Sequence, residues 1–70
     1  MKTKQSVVSS QLKEVEYDTE TSLLTITFMQ GRRYEYKDVP ADVFRELIEA
    51  ESIGSYFIKN IRNKYLFKQI

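Results

Sequence analysis

The 70-residue chain contains no cysteine and no histidine. Their absence excludes a disulfide framework, a thiolate nucleophile, an imidazole base and a zinc site of the usual Cys/His kind. A cysteine-free chain suits a reducing compartment, so the cytoplasm is the expected location. Proline occurs once, at Pro40, and glycine twice, at Gly31 and Gly54, so each is a strong punctuation mark. No apolar run approaches the ~20 residues that span a bilayer. The start, Met1-Lys2-Thr3-Lys4-Gln5-Ser6-Val7-Val8, lacks the apolar stretch of a signal peptide, and no membrane partner is expected.

What is present suits one compact core. The apolar fraction is 41%, with five tyrosines and four phenylalanines. That is too rich for a disordered chain. A single small domain is expected over residues 6–70, with residues 1–5 frayed. The net charge of +1 says nothing about a partner, but its distribution does. Asp38, Asp42, Glu46, Glu49 and Glu51 make the middle of the chain acidic, with Arg45 the lone base among them. Lys59, Arg62, Lys64 and Lys68 follow with no acid between them. Such asymmetry marks either a face for an anionic partner or ordinary solvated helix surfaces.

The fold class read from the pattern is α+β: a three-stranded antiparallel meander with one face covered by two C-terminal helices. Val7-Val8-Ser9-Ser10 leads into the sheet, and Gln11 to Tyr17 reads as the first strand. Val15 and Tyr17 face inward there, and a twist or bulge can bring Leu12 in as well. Asp18-Thr19-Glu20-Thr21 reads as a turn, since Asp and Thr bond nearby amides. Ser22 to Met29 is the clearest strand, with Leu24, Ile26 and Phe28 on an apolar face. Gly31 is free to take the positive φ that closes the next hairpin. Arg32 to Asp38 then puts Tyr34 and Tyr36 on one face and Arg33, Glu35 and Lys37 on the other.

Pro40 opens a helix to about Glu51, with the pairs Val43–Leu47 and Phe44–Ile48 and Ala50 as its stripe. Ser52 caps a second helix from about Ile53 to Arg62, set at an angle to the first. Tyr65 to Ile70 is apolar enough to dock as a short extended piece along the sheet.

These residues, in this order, resemble the KTSC domain family. The features are Val8-x-Ser10, Val15-x-Tyr17-Asp18, Leu23-x-Thr25-Ile26-x-Phe28, Gly31 and Tyr34-x-Tyr36. They continue through Val39-Pro40, Val43-Phe44, Ala50, Ser52-x-Gly54-x-Tyr56-Phe57, Ile61-Arg62 and Tyr65. No one motif is specific; the ordered set, from about Val8 to Phe67, carries the resemblance. One departure is Ile58, where the family pattern implies a polar residue, often asparagine. The family is a short module found at the C-terminus of some lysyl-tRNA synthetases and as stand-alone bacterial proteins. The resemblance implies a suggested role in RNA binding. It implies no aminoacylation, because these residues include no synthetase catalytic domain.

Two places invite a functional reading. Tyr34 and Tyr36, beside Arg32 and Arg33, are either a stacking platform for unpaired bases or the inner face of the sheet. Strand alternation favours the inner face. The basic tail combines Lys59, Arg62, Lys64 and Lys68 with Tyr65 and Phe67, the pairing of cations and rings that single-stranded RNA requires. The candidate nucleic-acid-binding residues are therefore Lys59, Arg62, Lys64, Tyr65 and Lys68, extended by Arg32 and Arg33. Its plain alternative is a cationic helix end.

Catalysis is not expected. Glu46, Glu49 and Glu51 do not converge on a cleft, the serines lack a histidine partner, and Asp18 with Glu20 offers too few metal ligands. No cofactor is expected. The reading is a non-enzymatic binding module for RNA, or alternatively one that docks another protein through a sheet edge or the acidic helix.

Overall fold

A computed structural model describes residues 2–7 and 11–70. The expected lead-in at Val8-Ser9-Ser10, and with it the Val8-x-Ser10 motif, lies outside the described residues. The elements run β1 (Lys2–Ser6), β2 (Leu12–Asp18), β3 (Leu23–Phe28), β4 (Arg33–Tyr36), α1 (Ala41–Glu49), α2 (Ile53–Asn60) and β5 (Phe67–Gln69). The five strands form one antiparallel sheet in sequence order, β1-β2-β3-β4-β5. The α+β class holds, but the sheet has five strands where the sequence pattern indicates three.

Both added strands lie at the edges; β5 is the extended piece expected along the sheet within Tyr65 to Ile70. β1 has no apolar residue, and its sequence indicates a frayed end. Its contribution is backbone pairing with β2, from Lys2 opposite Asp18 to Ser6 opposite Glu14. Lys4 also reaches Glu14 across the ladder at 3.7 Å. Lysines on an edge strand discourage pairing with other chains. β5 is three residues long and pairs with β4, Phe67 opposite Tyr36 and Gln69 opposite Tyr34. Its ends are fixed by Lys37 N–H to the Leu66 carbonyl (2.8 Å) and Ile70 N–H to the Arg33 carbonyl (2.9 Å).

The central strands follow the expected faces. Val15, Tyr17, Leu24, Ile26 and Tyr36 are all buried. The β2–β3 register shifts between Leu12 and Glu14, and this bulge turns Leu12 fully inward. At the β2–β3 turn, the Glu20 N–H donates to Asp18 Oδ1 at 2.9 Å. That bond holds the Asp18 carboxyl below its usual range.

Both helices cover the apolar face. Pro40 is extended (φ −63, ψ 149) and stands just before α1 rather than inside it. Phe44 and Leu47 are buried, with Val43 and Ile48 half-buried against the core. Ala50 returns to extended backbone, so the helices are separate. The Ser52 side chain accepts from the Ser55 N–H, the cap expected from sequence. Each helix ends about two residues before its expected end, α1 at Glu49 and α2 at Asn60.

The crossover from β4 to α1 is fixed at Val39. Its N–H donates to the Ser22 carbonyl (3.0 Å), and its carbonyl accepts from the buried Tyr17 hydroxyl. The Tyr17 ring stacks on Phe44 with centroids 5.0 Å apart. Tyr17→Phe keeps that stacking but strands a buried carbonyl, so it should cost about 1–2 kcal/mol. Urea denaturation measures this; an unchanged midpoint would show that the hydroxyl does not hold the crossover.

Candidate functional site

The apolar face of the sheet is not covered uniformly. Phe57 on α2 packs edge-on against Phe28 on β3 (5.6 Å between centroids) and against Tyr36 on β4 (5.5 Å). Phe28 meets Tyr34 edge-on at 5.6 Å. Phe67 on β5 closes the chain of rings, 5.7 Å from Tyr34 and 5.4 Å from Tyr36. On the β5 side of Phe57 the cover is partial: Phe28 and Tyr34 are half-buried and Phe67 is exposed. A groove of about 420 Å³ opens there, lined by the five rings together with Gln11, Gln30, Arg32, Ile58, Arg62 and Asn63.

Local backbone geometry places the polar rim. In the β3–β4 hairpin the Gly31 N–H donates to the Phe28 carbonyl, and the Phe28 N–H to the Arg32 carbonyl, both at 2.8 Å. Gly31 takes φ +98, as its position in the turn demands. This turn carries Gln30 and Arg32 at the groove mouth. Met29 N–H donates to the Gln11 carbonyl (3.0 Å), which brings Gln11 to the same rim. On the opposite side the Phe57 carbonyl accepts from both Ile61 and Arg62 N–H groups, each at 2.9 Å. The end of α2 is thereby wound tightly, and Arg62 joins Phe57 in the groove lining.

The rings divide by depth. Tyr36 and Phe57 are each only 3% exposed and form the floor. Tyr34 is half-buried, whereas Phe67 is 53% exposed and presents ring surface to solvent. Burial pushes the Tyr36 phenol above its usual range, Tyr34 adds to the rise, and Arg62 opposes it. No lining residue is acidic. Among the described residues, neither Arg32 nor Arg62 forms an ion pair.

The sequence candidates are thus distributed over different surfaces. Arg32 and Arg62 both line the groove although 30 residues separate them in the chain. Tyr34 and Tyr36 both lie on the inner face, with Tyr36 buried and Tyr34 at the groove. Lys59 and Lys64 are exposed around the end of α2 and do not line the groove. Tyr65 is half-buried against the core. Arg33 and Lys68 point from the other face of the sheet, where Lys68 stands opposite Glu35.

Phe28, Phe57, Gln11, Gln30, Ile58 and Asn63 complete the groove and were not candidates. Phe28 had a signal, since it shares a strand face with Leu24 and Ile26. The amides had none, because only the hairpin and the α2 turn bring them together. Ile58, the residue that departs from the family pattern, falls on the groove wall.

Comparisons with known proteins agree with this architecture. Residues 8–65 match the family model described as the KTSC domain. The chain is 43% identical over 59 residues to a lysine–tRNA ligase of Trichormus variabilis, covering 84% of this chain and 10% of that protein. It is 41% identical over 49 residues to an uncharacterised protein of Stutzerimonas stutzeri, covering 70% of this chain and 69% of that one. The chain therefore spans about a tenth of the length of the ligases it matches. The crystal structure of a KTSC domain protein from Yersinia pestis superposes with a TM-score of 0.92 at 32% identity, covering 100% of this chain and 99% of that one.

Two predictions come from the ring cluster. Tyr36→Ala should cost roughly 3–5 kcal/mol as a core truncation, while Phe67→Ala, on an exposed edge, should cost less than half of that; thermal melts of the two variants test the order, and equal losses would contradict it. The raised Tyr36 phenol favours its neutral form in the fold. Its contribution to stability is therefore complete below about pH 10, the unfolded value, and is lost as pH rises through the folded value. Denaturation between pH 8 and pH 11, about one unit or more on either side of that value, should show an alkaline decline that is smaller in Tyr36→Phe. An identical decline in both would assign it to other groups.

Proposed function

The chain belongs to the KTSC domain family, and from that premise we propose that it is a non-catalytic binding module for single-stranded RNA. The observation that carries the reading is an aromatic groove lined by Arg32 and Arg62, with no ion pair on either arginine and no acid in the lining among the described residues. Cations that contact phosphate, combined with rings that stack on bases, are the two components of single-strand recognition. Arg32 and Arg62 are the phosphate contacts, and Tyr34 and Phe67 supply ring surface. Lys59 and Lys64 extend the positive track around the end of α2. Arg33 and Lys68, on the other sheet face, lie off it. Several relatives are named as ligases of tRNA, which is in keeping with an RNA partner in the cytoplasm.

The alternative of a protein partner draws on one feature. β5 is an edge strand with all three residues exposed, and Leu66 and Ile70 beside it are exposed as well. A partner strand could pair there. Such docking would survive nuclease treatment and neutralisation of the arginines.

Titration of labelled protein with short single-stranded RNA, followed by NMR, tests the RNA reading. Shifts should centre on residues 28–34 and 57–64, and affinity should fall steeply with salt. Arg62→Gln should weaken binding and flatten the salt slope by about one unit per lost phosphate contact, while Lys68→Gln should change neither. Absence of any shift at low salt would overturn the reading.

A further inference from the structure

The same groove carries a narrower statement, which rests on the RNA reading above. We propose that it holds one unpaired nucleotide at a time, with the base inserted against Tyr34 and Phe67 and its edge met by side-chain amides.

The small extent of open ring surface sets the limit to one nucleotide. On an open sheet, several rings on one face can stack several bases in a row. Here the aromatic face of the sheet is occupied by α1 and α2, and the ring surface left open is confined to the end beside β5. The outer face offers no second platform, because Thr25, Thr27, Arg33, Glu35 and Lys68 project there. The groove measures about 420 Å³. A cavity of about 150 Å³ holds a benzene ring, so the groove has room for one base with its sugar or phosphate. A duplex is excluded, since its base faces are buried in the stack.

The lining chemistry selects a nucleotide over other flat anions. Arg32 and Arg62 flank the opening and suit phosphate on either side of the inserted base. Gln30 and Asn63 stand at the rim with both a donor and an acceptor each. A nucleobase edge carries matching donors and acceptors, and Asn and Gln pair with such edges in two-point contacts. A phosphorylated tyrosine has charge and a ring face but no such edge. Asn63 lies in the tight turn that follows α2, and Gln30 in the hairpin turn, so the amides approach from opposite walls.

The test is an NMR titration of the full chain with five separate probes: the four nucleoside 5′-monophosphates as a set, adenosine, ribose 5-phosphate, phosphotyrosine, and a ten-nucleotide RNA in single-stranded and duplex form. Monophosphates should saturate shifts at residues 28–34, 57–63 and 67, and single-stranded RNA should shift the same residues. Adenosine and ribose 5-phosphate, each lacking one half of the ligand, should bind about tenfold or more weakly than the monophosphates. Phe67→Ala should lower monophosphate affinity about tenfold, and Phe67→Tyr should restore it. Gln30→Ala should alter the ranking of the four bases.

Groove shifts with the strand but none with any monophosphate would overturn the single-nucleotide statement and leave the RNA reading standing. Silence with every probe would remove both. Phosphotyrosine binding as tightly as the monophosphates, or the duplex matching the single strand, would also overturn the single-nucleotide statement.

Discussion

The packing of Phe57 against the β3–β4 hairpin is the contact on which the rest of the structure depends. Its ring meets Phe28 and Tyr36 edge-on and is nearly fully buried. Its carbonyl accepts two N–H groups and so sets the direction in which the chain leaves α2. That direction does two things. It brings Arg62 to the groove lining, and it returns the last residues to the sheet, where Phe67 pairs opposite Tyr36. A single aromatic contact thus joins the core to the groove. Burial of one ring stabilises the domain, and the chain path that follows leaves Tyr34 half-buried and Phe67 exposed.

The sheet makes this arrangement necessary. A five-stranded antiparallel sheet with one apolar face has to be covered, and the two helices between β4 and β5 are short, nine and eight residues. α1 serves the β2 side through Phe44 on Tyr17, and α2 serves the β3–β4 side through Phe57. The two are joined by Tyr56, whose hydroxyl donates to Glu46 at 3.2 Å. The groove lies between the end of α2 and the β3–β4 hairpin. The KTSC domain protein of Yersinia pestis shares this fold over essentially the whole chain. The matched region of the lysine–tRNA ligases is a small part of those proteins, in keeping with a unit that folds around its own core.

The sequence made the central part of this architecture legible. Alternation along Leu24, Ile26 and Phe28, the glycine at Gly31 and the cap at Ser52 are local signals, and each has the predicted consequence. Of the two edges, β1 was not legible, because it is held by backbone pairing and carries no apolar pattern. β5 is too short for alternation to mark a strand, but its apolar residues did indicate docking along the sheet. The candidate site divides in the same way. Arg32, Arg62 and Tyr34 stood out by residue type. The groove that unites them depends on Phe28, Phe57 and two turns, a product of long-range packing that spacing in the chain does not record. Grouping the lysines and arginines by sequence also placed Arg33 and Lys68 with the others, although strand alternation sends them to the opposite face.

In the proposed function, the aromatic groove, and not the positive charge of the C-terminal segment as a whole, is the place of contact with a nucleic-acid ligand. The most direct measurement is of intermolecular nuclear Overhauser effects between RNA base protons and the ring protons of selectively labelled phenylalanine and tyrosine. Contacts from a base to Phe67 and Tyr34, with ribose protons near Arg32 or Arg62, are the predicted result. Contacts confined to lysine side chains, with no base near any of the five rings, would contradict it.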